Sequence, residues 1–491
     1  MEVDTTQRTD NKRWIFLGVI SLGLFMIGVD NSILFNALPT LKANLHTTSL
    51  ENLWIINMYP LILAGLLLGT GTLGDKIGHR RMFEIGLAIF GVASFVATFA
   101  PNPEVLIFAR GLFGVGAATM MPATLSLIRT TFTDTKERNT AIGLWGATAA
   151  LGAASGPIIG GLLLEHFWWG SVFLINALVV IIALGGTLAI APPNIADPSR
   201  HWDFLSSLFA MIAMMGLVML IKEVTHSPIN LLLMVGAAAA MLIGGGLFWW
   251  RQRILTEPLL TLDVFTNRIF TAGVLAAGFA MFVLAGTELL TTQRFQLGEG
   301  FSPLQAGLLV AGGAIFAIPA SVYGGMNLDK VGFRPLISGG FTVMAIGGLL
   351  CIWAIRSDSL WIFVASIIVT GAGTGLVMSV SSTAIIGSAP AHRSGMASAV
   401  EEVSYEFGTL LSVAILASLL QLFYSWFAPS QVADSFEAGF ADPQLFDAAY
   451  AAFDHSFMLV ITVVTIITII ISGLTAWLLQ GNPKKTEYAH E

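Results

Sequence analysis

Runs of about twenty apolar residues, separated by short polar loops, recur from one end of the chain to the other. A spanning helix needs roughly 20 such residues. Fourteen segments reach that length: 14–38, 52–73, 82–100, 104–127, 139–164, 169–191, 203–222, 229–250, 269–293, 304–326, 335–355, 359–382, 396–423 and 455–479. Only helices satisfy every backbone group within repeated apolar segments of this kind, so the pattern predicts an all-α integral membrane protein. The first segment is too long for the apolar core of a cleavable signal peptide, contains Asp30 and lacks a small-residue cleavage site.

Composition narrows the class further. Of 491 residues, 55% are hydrophobic and only 11% are charged, against about 25% in a soluble domain. This excludes a soluble enzyme, a disordered chain, a collagen and a nucleic-acid binder. The 51 glycines suit helices that pack closely in lipid. The single cysteine, Cys351, excludes a disulfide framework and a CxxC metal site.

Lys and Arg orient the spans, because inner loops carry an excess of both. With the N-terminus inside, eighteen of the 23 basic residues fall on the inner side and four fall outside: Lys42, Lys222, Arg294 and Arg356. Arg110 lies within a span. Both termini are then cytoplasmic. The longest outer connection, 424–454, has no Lys or Arg and carries Asp434, Glu437, Asp442, Asp447 and Asp454. It reads as a solvated acidic loop, with a gate or cation-attracting vestibule as the alternative.

The chain also repeats itself. Gly71-Thr-Leu-Gly-Asp75-Lys76-Ile-Gly78-His-Arg80 closes the second span, and Gly325-Met-Asn-Leu-Asp329-Lys330-Val-Gly332-Phe-Arg334 closes the tenth. Both read G-x-x-x-D-K-x-G-x-R. A repeat after eight spans makes spans 1–6 correspond to spans 9–14, with spans 7 and 8 inserted. The expected organisation is an N-terminal six-helix bundle over 1–191, a two-helix insertion over 192–251 and a C-terminal six-helix bundle over 252–491. Two six-helix halves form a transporter architecture. Glycine permits a tight turn in the motif, and its Asp can pair with a basic residue or a helix N-terminus to latch the inner face.

These residues resemble the major facilitator superfamily. The loop from Gly71 to Arg81 is similar to the signature between spans 2 and 3. Arg110-Gly-Leu-Phe-Gly114-Val-Gly116-Ala in span 4 resembles the RxxxGxGxA motif. Gly152-Ala-Ala-Ser-Gly156-Pro157-Ile-Ile-Gly160-Gly161 in span 5 resembles the antiporter motif, and Asp30-Asn-Ser-Ile-Leu-Phe-Asn36-Ala-Leu-Pro39 resembles that of the fourteen-span drug:proton antiporters. Glu401-Glu402-Val-Ser-Tyr-Glu406 in span 13 is similar to the quaternary-ammonium and methyl-viologen efflux pumps. The resemblance implies a 6+2+6 major-facilitator fold in the bacterial cytoplasmic membrane. It also implies proton-driven export of cationic drugs by alternating access, and a proton-relay role for Arg110.

Six ionisable residues lie well inside the spans: Asp30, Arg110, Glu288, Glu401, Glu402 and Glu406. Such groups cost about 2.5–3.5 kcal/mol each on insertion scales, so a functional role is the default. Five are acidic, which suits a lipophilic cation and not an anion. Desolvation favours a protonated carboxyl and a nearby cation favours the charged one, so proton and drug can compete for one carboxylate. Asp30 lies in the outer half of span 1, where the alternative is an interhelical hydrogen bond. Glu288 lies in the outer half of span 9, where the alternative is a rim pair with Arg294. On span 13, Glu402 and Glu406 share a face and Glu401 does not. Arg110 reads equally as a relay and as a structural counter-ion. Gly152, Gly156, Pro157, Gly160 and Gly161 read as a hinge or as tight packing.

Trp54, Tyr59 and Trp145 are candidate cation–π platforms, worth about 0.5–2 kcal/mol each. The binding cavity is expected between the halves, with spans 7 and 8 outside it as a lipid-facing or bracing pair. No cofactor or metal is implied. The expected partners are protons, small cationic drugs and the lipid bilayer, with no nucleic acid, and the chain is expected to act as a monomer. The rival readings are a proton-linked carrier of a physiological metabolite, a membrane-embedded enzyme and a channel. No HExxH, GxSxG, P-loop or paired-His motif supports the enzyme, and the inner loops are too short for a catalytic domain.

Overall fold

The computed structural model describes residues 3–132, 135–198, 203–224, 229–255, 258, 262–389 and 394–481. Among them every regular element is helical. The helices are α1 (Val3–Leu45), α2 (Ser49–Ile77), α3 (His79–Thr98), α4 (Pro103–Thr131), α5 (Thr135–His166), α6 (Ser171–Ile190), α7 (Phe204–Val224) and α8 (Leu231–Ile254). They continue as α9 (Arg268–Gln293), α10 (Pro303–Val331), α11 (Phe333–Arg356), α12 (Leu360–Gly387), α13 (Ser394–Phe427), a short α14 (Phe436–Ala441) and α15 (Phe446–Leu478). On their described residues, thirteen are long and apolar enough to cross a membrane, and α5 is the fourteenth long helix. The chain is thus a multi-pass membrane protein.

Local chemistry sets the helix ends. Thr48 and Glu51 form a reciprocal capping box at the start of α2, and Ser302 and Gln305 form another at the start of α10. Asn102 caps α4 just before Pro103, a residue that fits the first helical turn. The repeated motif is mostly helical: Gly71–Lys76 lie in the last turns of α2, so Gly71 does not make the turn. Gly78 makes it, at φ +95, and Gly332 does the same at φ +91 after α10.

Two compact units emerge, Met1–Leu208 and Phe209–Glu491. In the first, α1 packs on α5 and α6, α2 on α4, and α3 on α4 and α6. In the second, α9 packs on α13 and α15, α10 on α12, and α11 on α12 and α15. These pairings are the same once span 1 is matched to span 9, as the sequence repeat requires. Helices α7 and α8 pack on each other through glycine: a Cβ on Gly244 would stand 2.7 Å from the Ala213 nitrogen and 2.9 Å from the Phe209 carbonyl. Much of the apolar surface of α8, including Leu232, Leu242 and Trp250, is exposed.

Candidate functional site

Three helices of the first unit meet at Asp30. Arg110 on α4 donates from Nη1 to Asp30 Oδ2 at 2.5 Å, and Asn176 on α6 donates from Nδ2 to Asp30 Oδ1 at 2.9 Å. Asp30 is 0% exposed and Arg110 1%. The rest of the guanidinium is also held. Its Nε donates to the Ile55 carbonyl at 3.1 Å, and its centre sits 4.8 Å above the Tyr59 ring and 5.7 Å from that of Phe113. Both carboxylate oxygens and much of the guanidinium are therefore engaged, which is what a buried pair needs to offset its desolvation. The structure joins two residues that the sequence presented separately, and adds Asn176. Asn176 has a signal in the sequence, as a lone amide within the apolar run of α6.

The glycine motif of α5 lies along α1. A Cβ on Gly156 would stand 2.9 Å from the Val29 carbonyl and would overlap the Ser32 side chain. Gly152 faces Phe25 and Gly28, and Gly160 faces Ile33. Gly161 is buried as well. Pro157 cannot donate to the carbonyl one turn back, and its own carbonyl accepts from Asn36 Nδ2 at 3.0 Å. The motif thus brings α5 close to the helix that carries Asp30.

The other four acids belong to the second unit. Glu401, on α13, is buried and accepts from the Tyr405 hydroxyl at 2.7 Å. Glu402 is half-buried and has no hydrogen-bond partner among the described residues. Glu406 is buried one turn above Glu402. Glu288, on α9, lines a cavity with Thr291 and Thr370 and does not pair with Arg294. Helices α9 and α13 approach through glycine here too, since a Cβ on Gly408 would overlap Gly278 and one on Gly286 would stand 2.6 Å from Ser412 Oγ.

Arg294 binds elsewhere. It donates to Asp454 at 2.8 Å and Glu299 at 3.0 Å, and Glu299 also accepts from Tyr450 at 2.6 Å. The segment 424–454 is folded and not a solvated loop. Tyr424, Phe436, Phe440, Phe446, Tyr450 and Phe453 stack over α14 and the first turns of α15, with neighbouring ring centres 5.3–6.5 Å apart. Aromatic burial is strong enough to order a segment rich in acids.

At the other end of the first unit, Arg80 donates to Glu84 at 2.8 Å and to the Ala191 and Pro192 carbonyls at 3.2 and 3.1 Å. Asn194 donates to the Ile77 carbonyl at 2.8 Å and accepts from the Arg81 amide at 3.2 Å. One side chain thus caps the end of α2 and the start of α3. The side chain of Asp75 lies outside the described residues, and Asp329 is exposed.

The aromatic candidates separate. Tyr59 is buried against the protein's own Arg110. Trp145 donates to Thr124 at 3.0 Å, tying α5 to α4. Trp54 is half-buried. No group of three or more His, Cys, Asp or Glu among the described residues is placed to hold a metal.

An all-helical membrane chain with a twice-repeated bundle and buried ionisable groups is a secondary transporter. The model of the Major Facilitator Superfamily matches residues 20–298 and 269–487, and the chain belongs to that family. It is 35% identical to the multidrug efflux pump LfrA of Mycolicibacterium smegmatis, over 92% of this chain and 93% of that one. It is 34% identical to the methyl viologen resistance protein SmvA of Salmonella typhimurium, over 84% of each. A riboflavin transporter, RibZ of Clostridioides difficile, is 27% identical over 83% of this chain and 89% of its own. A bacterial homologue of the human lysosomal transporter Spinster, inward-facing and unoccupied, matches the fold with a TM-score of 0.66 at 14% identity, over 96% of this chain and 98% of that one.

Proposed function

We propose that the chain is a proton-coupled antiporter that exports lipophilic organic mono- and dications. The classes are quaternary ammonium compounds, viologens, dyes and bisbiguanides. Export runs by alternating access across the bacterial cytoplasmic membrane, with both termini in the cytoplasm. The observation that carries this reading is the sign of the ionisable groups within the spans. Arg110 is matched by Asp30. Glu288, Glu401, Glu402 and Glu406 remain, with no Lys or Arg bonded to Glu288, Glu401 or Glu402 among the described residues. Carboxylates so placed attract cations and protons and repel anions. Multidrug efflux by LfrA supports export of drugs, and methyl viologen resistance through SmvA supports a cationic cargo.

In this reading Asp30 and Arg110 act as one unit. A proton on Asp30 weakens its hold on Arg110, and the freed positive charge opposes a second cation nearby. Proton and drug then exclude each other, which is the requirement for antiport. The similarity to RibZ favours a second reading, a proton-linked carrier of a physiological metabolite. Efflux of an ethidium-type cation from loaded vesicles tests both, with each of the five acids neutralised in turn. Acceleration by an inward proton gradient and its loss in acid-neutralised variants support the antiporter. Efflux indifferent to pH and to all five acids removes it.

A further inference from the structure

Two adjoining cavities lie inside the second unit and share Thr287, Ile367 and Thr370. The first also takes in Glu288, Thr291 and Gly313. The second extends to Cys351, Ser366 and Thr465. Each offers about 20 Å³ to water-sized molecules, and one water needs roughly 10–15 Å³. An organic cation does not fit such a space.

The polar groups on the walls divide into two kinds. Thr287, Ser366 and Thr465 donate to carbonyls of their own helices at 2.7–2.8 Å. Thr291 and Thr370 are 1% and 7% exposed, and neither hydroxyl bonds to another described residue. The Glu288 carboxylate has no such partner either. Leaving a buried hydroxyl unpaired costs about 1–3 kcal/mol. Two hydroxyls that line the same space as the Glu288 carboxylate, a space that fits water, mark a place where water completes the hydrogen bonds.

We propose that Glu288, Thr291 and Thr370 form a hydrated proton site inside the second bundle, which the exported cation does not enter. The inference rests on proton coupling as the chain's function and divides labour among its acids. The surroundings leave Glu288 to act alone. Helix α12 has no ionisable residue, and Tyr323, Asp329 and Lys330 of α10 lie toward its inner end. On α13, Ser412 and Leu416 face Gly286, which leaves Glu406 at least six residues lower, roughly 9 Å by helical rise. Glu401, Glu402 and Tyr405 lie lower still. On the outer side, Arg294 is committed to Asp454 and Glu299, with Tyr450 on Glu299, and His455 lies against Phe427. Cys351 is a buried thiol on the far wall of the second cavity.

The test is infrared titration of the full-length protein in lipid, reading the stretch of protonated carboxyl groups. We expect a titrating band that disappears in Glu288→Gln. We expect it to change frequency in Thr291→Val and Thr370→Val, which remove the hydroxyl and keep the shape. The same valine variants should slow pH-driven tetraphenylphosphonium efflux about fivefold, the loss of roughly 1 kcal/mol of hydrogen bonding to water. A band unchanged in both valine variants overturns the hydrated site, as does no band assignable to Glu288. Displacement of the titration by sodium at constant ionic strength makes it a sodium site and overturns the proton assignment. A site that titrates as expected in a chain whose efflux ignores pH leaves the site standing and removes the antiporter reading.

Discussion

Asp30 and Arg110, on α1 and α4, close a 2.5 Å ion pair with both side chains shut off from solvent. Removing one partner of a buried pair strands the other charge and costs about 3–5 kcal/mol. Asp30→Asn should therefore abolish export of every cation and lower thermal stability in detergent. Asp30→Asn combined with Arg110→Met should regain most of that stability and none of the export. Melting curves and vesicle efflux, measured on the single and double variants, separate the two effects. Near-normal pH-driven export by Asp30→Asn removes the pair from the mechanism.

Asn176 is the third member of the site, and its amide holds the carboxylate oxygen that Arg110 does not. Asn176→Leu keeps the bulk and removes the donor. It should cost about 1–3 kcal/mol of stability and slow export of mono- and dications alike, since it acts through Asp30 and touches no cargo. An effect confined to one class of substrate contradicts that indirect role.

The spans and their repeat were legible in the sequence because long apolar runs and basic loops record the bilayer directly. Asp30, Arg110 and the span-13 acids stood out for the same reason: charge is rare in such runs. Their partners were not legible. Asp30 binds residues 80 and 146 positions away, and which polar groups meet across three helices depends on helix rotation, which a broad apolar pattern leaves loose. Arg294 illustrates the same limit. It lies six positions after Glu288, yet it turns to Asp454 on α15. The folded segment 424–454 escaped because its acids mask a set of aromatic residues that only tertiary contact brings together. Asn194 escaped because a single loop amide has no pattern to read.

That amide leads to a prediction for the inner loop. Asn194 and Arg80 fasten the segment after α6 to the turn between α2 and α3. Asn194→Ala removes two caps at once, at about 1 kcal/mol each. We expect slower transport with equilibrium drug binding nearly unchanged, because these residues lie at the rim. Asp75→Asn should behave likewise. A large loss of binding with normal turnover of the remaining protein contradicts this placement.

The acids of α13 make a prediction about cargo charge. A monocation needs one counter-charge, whereas a viologen or bisbiguanide brings a second charge some distance away. Leaving that second charge unpaired in a partly desolvated site is costly. By helical rise, Glu401 and Glu406 lie roughly 10 Å and 18 Å from the inner end of α13, so a long dication can reach this level while its other charge sits elsewhere. The two acids at the lower level differ in readiness. Glu401 already accepts the Tyr405 hydroxyl, and Glu402 has no hydrogen-bond partner among the described residues. Glu402→Gln should therefore lower dication export about tenfold more than monocation export, the equivalent of roughly 1.4 kcal/mol of lost pairing. Glu401→Gln should discriminate less. Tyr405→Phe, which removes one of the two hydroxyls bonded to Glu401, should favour dications. Glu288→Gln should lower both classes equally if that residue carries the proton alone. The measurement is a set of efflux curves for matched mono- and divalent quaternary amines at equal membrane expression. Equal losses for both classes in every α13 variant would sink the two-charge idea and assign these acids to proton coupling.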